Sequence, residues 1–147
     1  MLFQRIDKGQ AERVFSYFYN VSGGTITQGY AAQWDTGTTD GVRVTTPTTA
    51  GLSLFVGIAV ADVANSAYGK FQVYGYRASA YVINSYTTDV TAGDILVPVN
   101  GQGYLAKSAV GDGKSGFAYF ADSAFGSVTQ TTLAAAVNGK KIFLRCL

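Results

Sequence analysis

Asp35-Thr36-Gly37 has the residues of the aspartic-protease triplet, in which two symmetry-related aspartates share a proton. In such enzymes the triplet follows an apolar run. Here Gln33-Trp34 precedes it, and the polar segment 38–41 continues it. Asp and Gly also favour the corners of turns, through side-chain bonds to the backbone and positive φ. We therefore interpret the triplet as a turn.

A second motif, GQGYLA at 101–106, has the spacing of a dinucleotide-binding turn. That turn must open a helix, whose N-terminus holds the pyrophosphate. The following residues, 107–116, are interrupted by glycine and do not predict a helix, and Pro98 argues against a central parallel strand. Asn100-Gly101 is instead a strong hairpin signal. The segment predicts two strands joined at that dipeptide.

The remaining residues give little support for catalysis or metal binding. The chain has no His, a single Glu and a single Cys, Cys146. The usual general base, the commonest metal ligand, cysteine clusters and an internal disulfide are therefore lacking. Most Asp residues flank Gly or Thr, as turn residues do. We expect no enzyme activity, no catalytic, cofactor-binding or metal-binding residues, and no small-molecule substrate.

The chain is rich in aromatic residues, with ten Tyr, nine Phe and one Trp, whereas charged residues make up only 14% of it. Protein interfaces are enriched in aromatics and depleted in Lys and Glu, although a monomeric domain with Thr-rich faces fits the composition equally well. In 71–78, Tyr74 and Tyr76 alternate with a set suited to a core. Exposed Tyr or Trp could also stack on sugars, so a carbohydrate-binding module is a rival.

Composition and turn spacing predict an all-β fold, either a small antiparallel barrel or a sandwich, with one short helix opened at Thr131 or Thr132 and ended by Gly139. We expect one β domain over 13–147 with one compact core, preceded by a possible arm at 1–12. Residues 13–21 and 25–34 should form the first hairpin. A net charge of +2 without basic clusters predicts no nucleic-acid partner, and no apolar run predicts a membrane span.

The segments GIAVADVANSAYG (57–69) and GFAYFADSAFG (116–126) echo each other as strand-and-turn units. A likeness to a known family is carried by ERVFSYFYNVSGGTITQGYAAQWD, DGVRVTTP, LSLFVGIAVADVANSAYGKFQVYGYR, TAGDILVPVNGQGYLA and KIFLRCL. In this pattern of strands and Gly turns, nearly the whole chain resembles the capsid decoration, or cement, proteins of tailed bacteriophages.

The resemblance implies a β-barrel or β-tulip-like structural protein, commonly a homotrimer, that binds the outer surface of an assembled capsid and reinforces it. Its partners would be the major capsid protein, its own copies and other head proteins. Its location would be the virion, after synthesis in the bacterial cytoplasm. For contacts with the capsid or between subunits, we nominate seven residues: Leu2, Phe3, Arg5, Ile6, Arg13, Tyr74 and Tyr76. The alternative is a carbohydrate- or receptor-binding module on a virion or cell surface.

Overall fold

The computed structural model describes six stretches of the chain: residues 12–38, 40–48, 53–83, 89–108, 117–124 and 137–146. These residues contain nine strands and no α-helix, so the all-β prediction is confirmed. The strands are β1 (Arg13–Asn20), β2 (Ala31–Trp34), β3 (Arg43–Thr45), β4 (Phe55–Ala59), β5 (Tyr68–Ile83), β6 (Ile95–Pro98), β7 (Leu105–Lys107), β8 (Ala118–Phe120) and β9 (Val137–Arg145).

The strands pair in the order β1-β3-β2-β4-β5-β7-β6-β8-β9, and the sheet closes on itself twice, because β5 also pairs with β1 and with β9. The first closure, β1-β3-β2-β4-β5, is called the N-terminal ring. The second, β5-β7-β6-β8-β9, is called the C-terminal ring. The 16-residue strand β5 belongs to both. Most pairs are antiparallel, whereas β1–β3 and β5–β7 are parallel.

Two clusters of buried side chains, rather than the one core expected, fill this sheet. One is built around Phe18, Val44 and Phe71, mainly from the N-terminal ring. The other contains Leu96 and Phe120 with other residues of the C-terminal ring. Strand β4 is buried along its whole length because its side chains contribute to both clusters. This explains its continuous apolar sequence, which is typical of strands that are covered on both faces.

The predicted first hairpin is wrong, since β1 pairs with β5 and β3 and not with β2. The fully buried side chain of Asn20 explains why the chain turns away. Its amide donates to the carbonyls of Gly24 (2.8 Å) and Val63 (2.9 Å), and its Oδ1 accepts the N–H of Ser22 (2.9 Å). Beyond this loop Ile26 bridges to Val63 instead of returning along β1.

Other local predictions are confirmed. Strands β6 and β7 pair antiparallel around the turn that contains Gly101, whose φ is +68°. Gly75 was predicted to mark a bulge or a close backbone approach, and it has φ +94°. A Cβ there would lie 1.8 Å from the carbonyl oxygen of Glu12. The β1–β5 register also shifts beside this point, between Val14 and Phe15.

Two predictions concern residues that the structure describes only in part. The possible arm at 1–12 lies outside the described residues except for Glu12, and so does most of the predicted helix. Strand β9 already begins at Val137, however, so the segment that ends at Gly139 is extended there. The echoed segments contain corresponding strands. β4 pairs antiparallel with the next strand along the chain, β5, and β8 does the same with β9.

Candidate interaction surface

Asp35, Asp62 and Asp122 serve as acceptors for backbone N–H groups in turns. Asp35 accepts the N–H of Gly37 at 3.2 Å, so the turn interpretation of the protease-like triplet is confirmed. Asp62 accepts the N–H of Gln28 at 2.7 Å. Hydrogen bonds from the N–H groups of Ser123 and Lys141 lower the pKa of Asp122 below its ordinary value. These groups fix loops.

The thiol of Cys146 lies between the two clusters, in contact with both. Ile142 and Leu144 are buried on the same side of β9, as the alternation predicted. Burial raises the pKa of Cys146 to about 12, which removes the thiolate that nucleophilic chemistry needs. Within the described ranges, no group of three His, Cys, Asp or Glu residues is arranged to hold a metal ion.

Three of the seven nominated contact residues are described. Arg13 pairs with Gly75, which separates Tyr74 from Tyr76, so strand pairing places these three residues at one point of the sheet. Arg13 is exposed, whereas both tyrosines are half-buried. The ring of Tyr74 packs edge-on against Phe143, with centroids 5.4 Å apart. Leu2, Phe3, Arg5 and Ile6 lie outside the described residues.

A more exposed aromatic surface lies along β1 and the beginning of β5. Its members are Phe15, Tyr17 and Tyr19, which alternate along β1, and Tyr68, and we call them the aromatic strip. Tyr17 and Tyr68 are each 66% exposed. Tyr19 pairs with Tyr68, and their rings meet edge-on at 5.1 Å. The strip therefore places large, rigid side chains in solvent, where a soluble protein usually has polar ones.

Strand register explains why the strip is held in place. Phe18, which alternates with the strip residues, is buried against Trp34 and Phe71 and anchors β1. Lys70 pairs with Tyr17, and its ammonium lies 4.2 Å from the ring centre of Phe15. A cation over an aromatic face is attractive, so Lys70 orders this ring, which remains 37% exposed.

The strip ends at a shallow cleft of about 270 Å³ lined by Tyr19, Tyr68, Val42, Asp40 and Arg43. Asp40 and Arg43 form an ion pair at 3.0 Å. Asp40 also accepts the N–H groups of Val42 and Arg43, and these bonds hold its pKa below the ordinary value. These hydrogen bonds hold this end of the strip in place. Because the charges of Asp40 and Arg43 already neutralise each other, a partner would be recognised here mainly through contacts with the aromatic rings.

Each of the nine described strands has two paired neighbours over at least part of its length, because both rings close. β3 meets β1 only at Tyr19 and Asn20, so residues 13–18 of β1 pair on one side, with β5. The sequence supplied a signal for the strip in the alternation of residues 15–19. That Tyr68 joins them depends on the pairing of β1 with β5, which sequence analysis missed.

Within the described residues no helix has the length and apolar character that crossing a membrane requires. Comparison of the chain with models of known protein families and with curated protein sequences gives no match in either case.

Proposed function

We propose that this chain is a non-enzymatic structural protein of a tailed-phage head. In this proposal it binds the outer surface of the assembled capsid as a homotrimer, and the aromatic strip contacts the capsid. The observation that carries the proposal is a rigid, doubly closed sheet with exposed Tyr17 and Tyr68 on its outside. The resemblance in strand and turn pattern supplies the identity of the partner.

A role of this kind needs surface and rigidity rather than reactive groups. Tyr is enriched among the residues that dominate binding energy, because a large ring is buried at little cost in conformational entropy. A trimer presents three strips, so each engaged copy makes the next contact intramolecular and multiplies weak contacts into tight attachment. A protein that binds only the assembled shell stabilises the shell by mass action.

The test is cosedimentation of the purified protein with mature capsids of its phage, using wild type, Tyr17→Ser and Tyr68→Ser. We expect each substitution to weaken binding about tenfold, the effect of losing an interface tyrosine worth over 1 kcal/mol. Ile95→Ser is the matched control, since Ile95 is also an exposed apolar residue (39%) but lies on β6, away from the strip. Sedimentation velocity of the free protein tests the trimer.

The same exposed rings favour a second candidate, a carbohydrate- or receptor-binding module, because a flat aromatic surface can stack on a sugar ring. A glycan array separates the two candidates. If the protein ignores assembled capsids but retains a glycan, and Tyr68→Ser abolishes that retention, the decoration proposal is wrong and the module is correct.

A further inference from the structure

A second cleft, of about 250 Å³, lies where β1 meets the middle of β5, beside the segment that follows β4. Two arginines, Arg13 and Arg77, line it, and among the described residues no acidic side chain does. The other lining residues are Phe15, Gln28, Val60, Gln72, Ala78 and Ser79. Asp62, which accepts the backbone N–H of Gln28, is not among them. We call this feature the arginine cleft.

Arg77 is unusual because it is only 8% exposed, whereas the other arginines of the described residues are exposed. Its Nη2 donates to the carbonyl of Ala59 at 2.9 Å, and its Nε donates to the carbonyl of Ser79. Both partners are neutral. In the described part of the chain the ion pairs are Arg43–Asp40 and Lys107–Asp94, so Arg77 has no carboxylate there.

A guanidinium carries five N–H donors, and two carbonyls do not saturate it. Burying such a charge without a counter-ion is costly, because water is removed and two neutral carbonyls replace only part of its stabilisation. Burial, together with the nearby charge of Arg13, lowers the pKa of Arg77 to about 10. Two cations therefore lie close enough to repel each other, in a cleft where neither is neutralised by a described carboxylate.

Gln72 does not relieve this charge. Its side chain is buried, and its Nε2 donates to the carbonyls of Tyr74, Tyr76 and Gly75 at 3.0–3.3 Å. It thus serves to hold the bulged middle of β5, which fixes the backbone from which Arg77 projects.

We infer that the arginine cleft binds a carboxylate carried on an apolar stem, as in a Glu or Asp side chain of a partner protein. The planar fork of an arginine matches a carboxylate in two parallel hydrogen bonds. Phe15, Val60 and Ala78 supply apolar surface beside the cations, which suits a hydrocarbon stem better than a fully hydrated inorganic anion. The inference stands independently of the proposed function, since it concerns a site in the isolated protein.

The experiment is a titration of the isotopically labelled full chain, in which NMR follows the arginine Nε–H signals. The probe is N-acetyl-glutamate N-methylamide, and its neutral control is the glutamine analogue. We expect the Arg77 and Arg13 signals to shift with the acidic probe, with a dissociation constant on the order of 1 mM for so small a ligand, and to stay in place with the neutral one. Inorganic phosphate should bind more weakly.

Arg13→Gln should weaken binding about tenfold, as expected for the loss of a charge-assisted hydrogen bond. Because Arg13 is exposed, this variant should fold, whereas Arg77→Met also loses the bonds to two carbonyls. Arg145→Gln is the matched control, since Arg145 is exposed and contacts Tyr119 instead. It should bind like wild type.

Several results would overturn the inference. They are an absence of shift with the acidic probe, equal shifts with the neutral analogue, and equal weakening by Arg13→Gln and Arg145→Gln. Stronger binding of phosphate than of the acidic probe would also contradict the assignment to a carboxylate. Asp7 and Asp112 are the acidic residues outside the described part of the chain. Asp7→Asn and Asp112→Asn therefore test whether the counter-ion is the chain's own. If the probe binds only after one of these substitutions, the site is not one for a partner.

Discussion

Replacing Gly75 by alanine tests the close contact between β1 and β5. At φ +94° an alanine costs about 1–2 kcal/mol relative to an ordinary conformation. Its Cβ would also lie 1.8 Å from the Glu12 carbonyl oxygen, a backbone atom that cannot rotate away. Relieving such an overlap costs about 1–3 kcal/mol more. We therefore expect Gly75→Ala to lower the free energy of unfolding by about 2–5 kcal/mol in total.

The matched control is Gly93→Ala, because Gly93 has φ +92° but nothing within 4 Å of an added Cβ. Both substitutions reduce the entropy of the unfolded chain equally, by about 0.4–1 kcal/mol, so the difference between them isolates the contact. Urea unfolding can be followed by fluorescence of Trp34, the one tryptophan, which packs on Phe18 at 5.0 Å. Protein concentration should be varied, since association would shift the midpoint.

We expect Gly75→Ala to be less stable than Gly93→Ala by about 1–3 kcal/mol, with similar slopes against urea. Equal losses in the two variants would refute the argument, because they would mean that β1 does not approach β5 as described.

Two further predictions concern buried polar groups. Asn20→Ala should lower the free energy of unfolding by about 2–3 kcal/mol, because it removes three hydrogen bonds of a fully buried side chain, each worth about 1 kcal/mol; chemical denaturation measures this. Stability should also fall above about pH 9. Burial raises the pKa of Cys146 from 9.0 to about 12. A hydrogen bond with Tyr104, together with burial, raises the pKa of Tyr30 from 10.0 to about 12. The unfolded chain then releases protons that the folded chain retains, so unfolding becomes more favourable as pH rises.

Each of these has an internal control. Asn65 is exposed and accepts the N–H of Gly23, so Asn65→Ala should cost under about 1 kcal/mol. Equal costs at the two positions would contradict the role given to Asn20. Cys146→Ala should remove the part of the decline that begins near pH 9 and leave the part due to Tyr30. A stability that stays constant from pH 8 to 10.5 would show that the surroundings of neither group raise its pKa as described.

Local features of the fold were predictable because they depend on neighbouring residues. The Asn100-Gly101 turn, the polar loop at Asp35 and the alternation of β9 follow from backbone geometry and from one face being buried. The alternation in 71–78 also placed Arg77 with the core-facing residues, where it is buried. The sequence did not show that Arg77 has no carboxylate partner among the described residues. The surroundings of Arg77 depend on which side chains three separate segments bring together.

Long-range pairing was not predictable for a physical reason. The turn residues after β1 suggested a local hairpin, whereas the partners of β1 lie on β5, some fifty residues away. The preference is set by the burial of Phe18 against Phe71 and by the hydrogen bonds of Asn20, and neither is encoded in the intervening turn. The aromatic strip was missed for the same reason, since it exists only once β1 and β5 lie side by side.

Because β5 supplies a strand to both rings, the protein has no natural point of division. Residue 74, halfway along the chain, lies inside this strand. A fragment that ends before β5 would lack a member of the N-terminal ring, and one that begins after β5 would lack a member of the C-terminal ring. Unfolding of either ring therefore destabilises the other. We expect the whole β-structure to fold and unfold in a single cooperative transition.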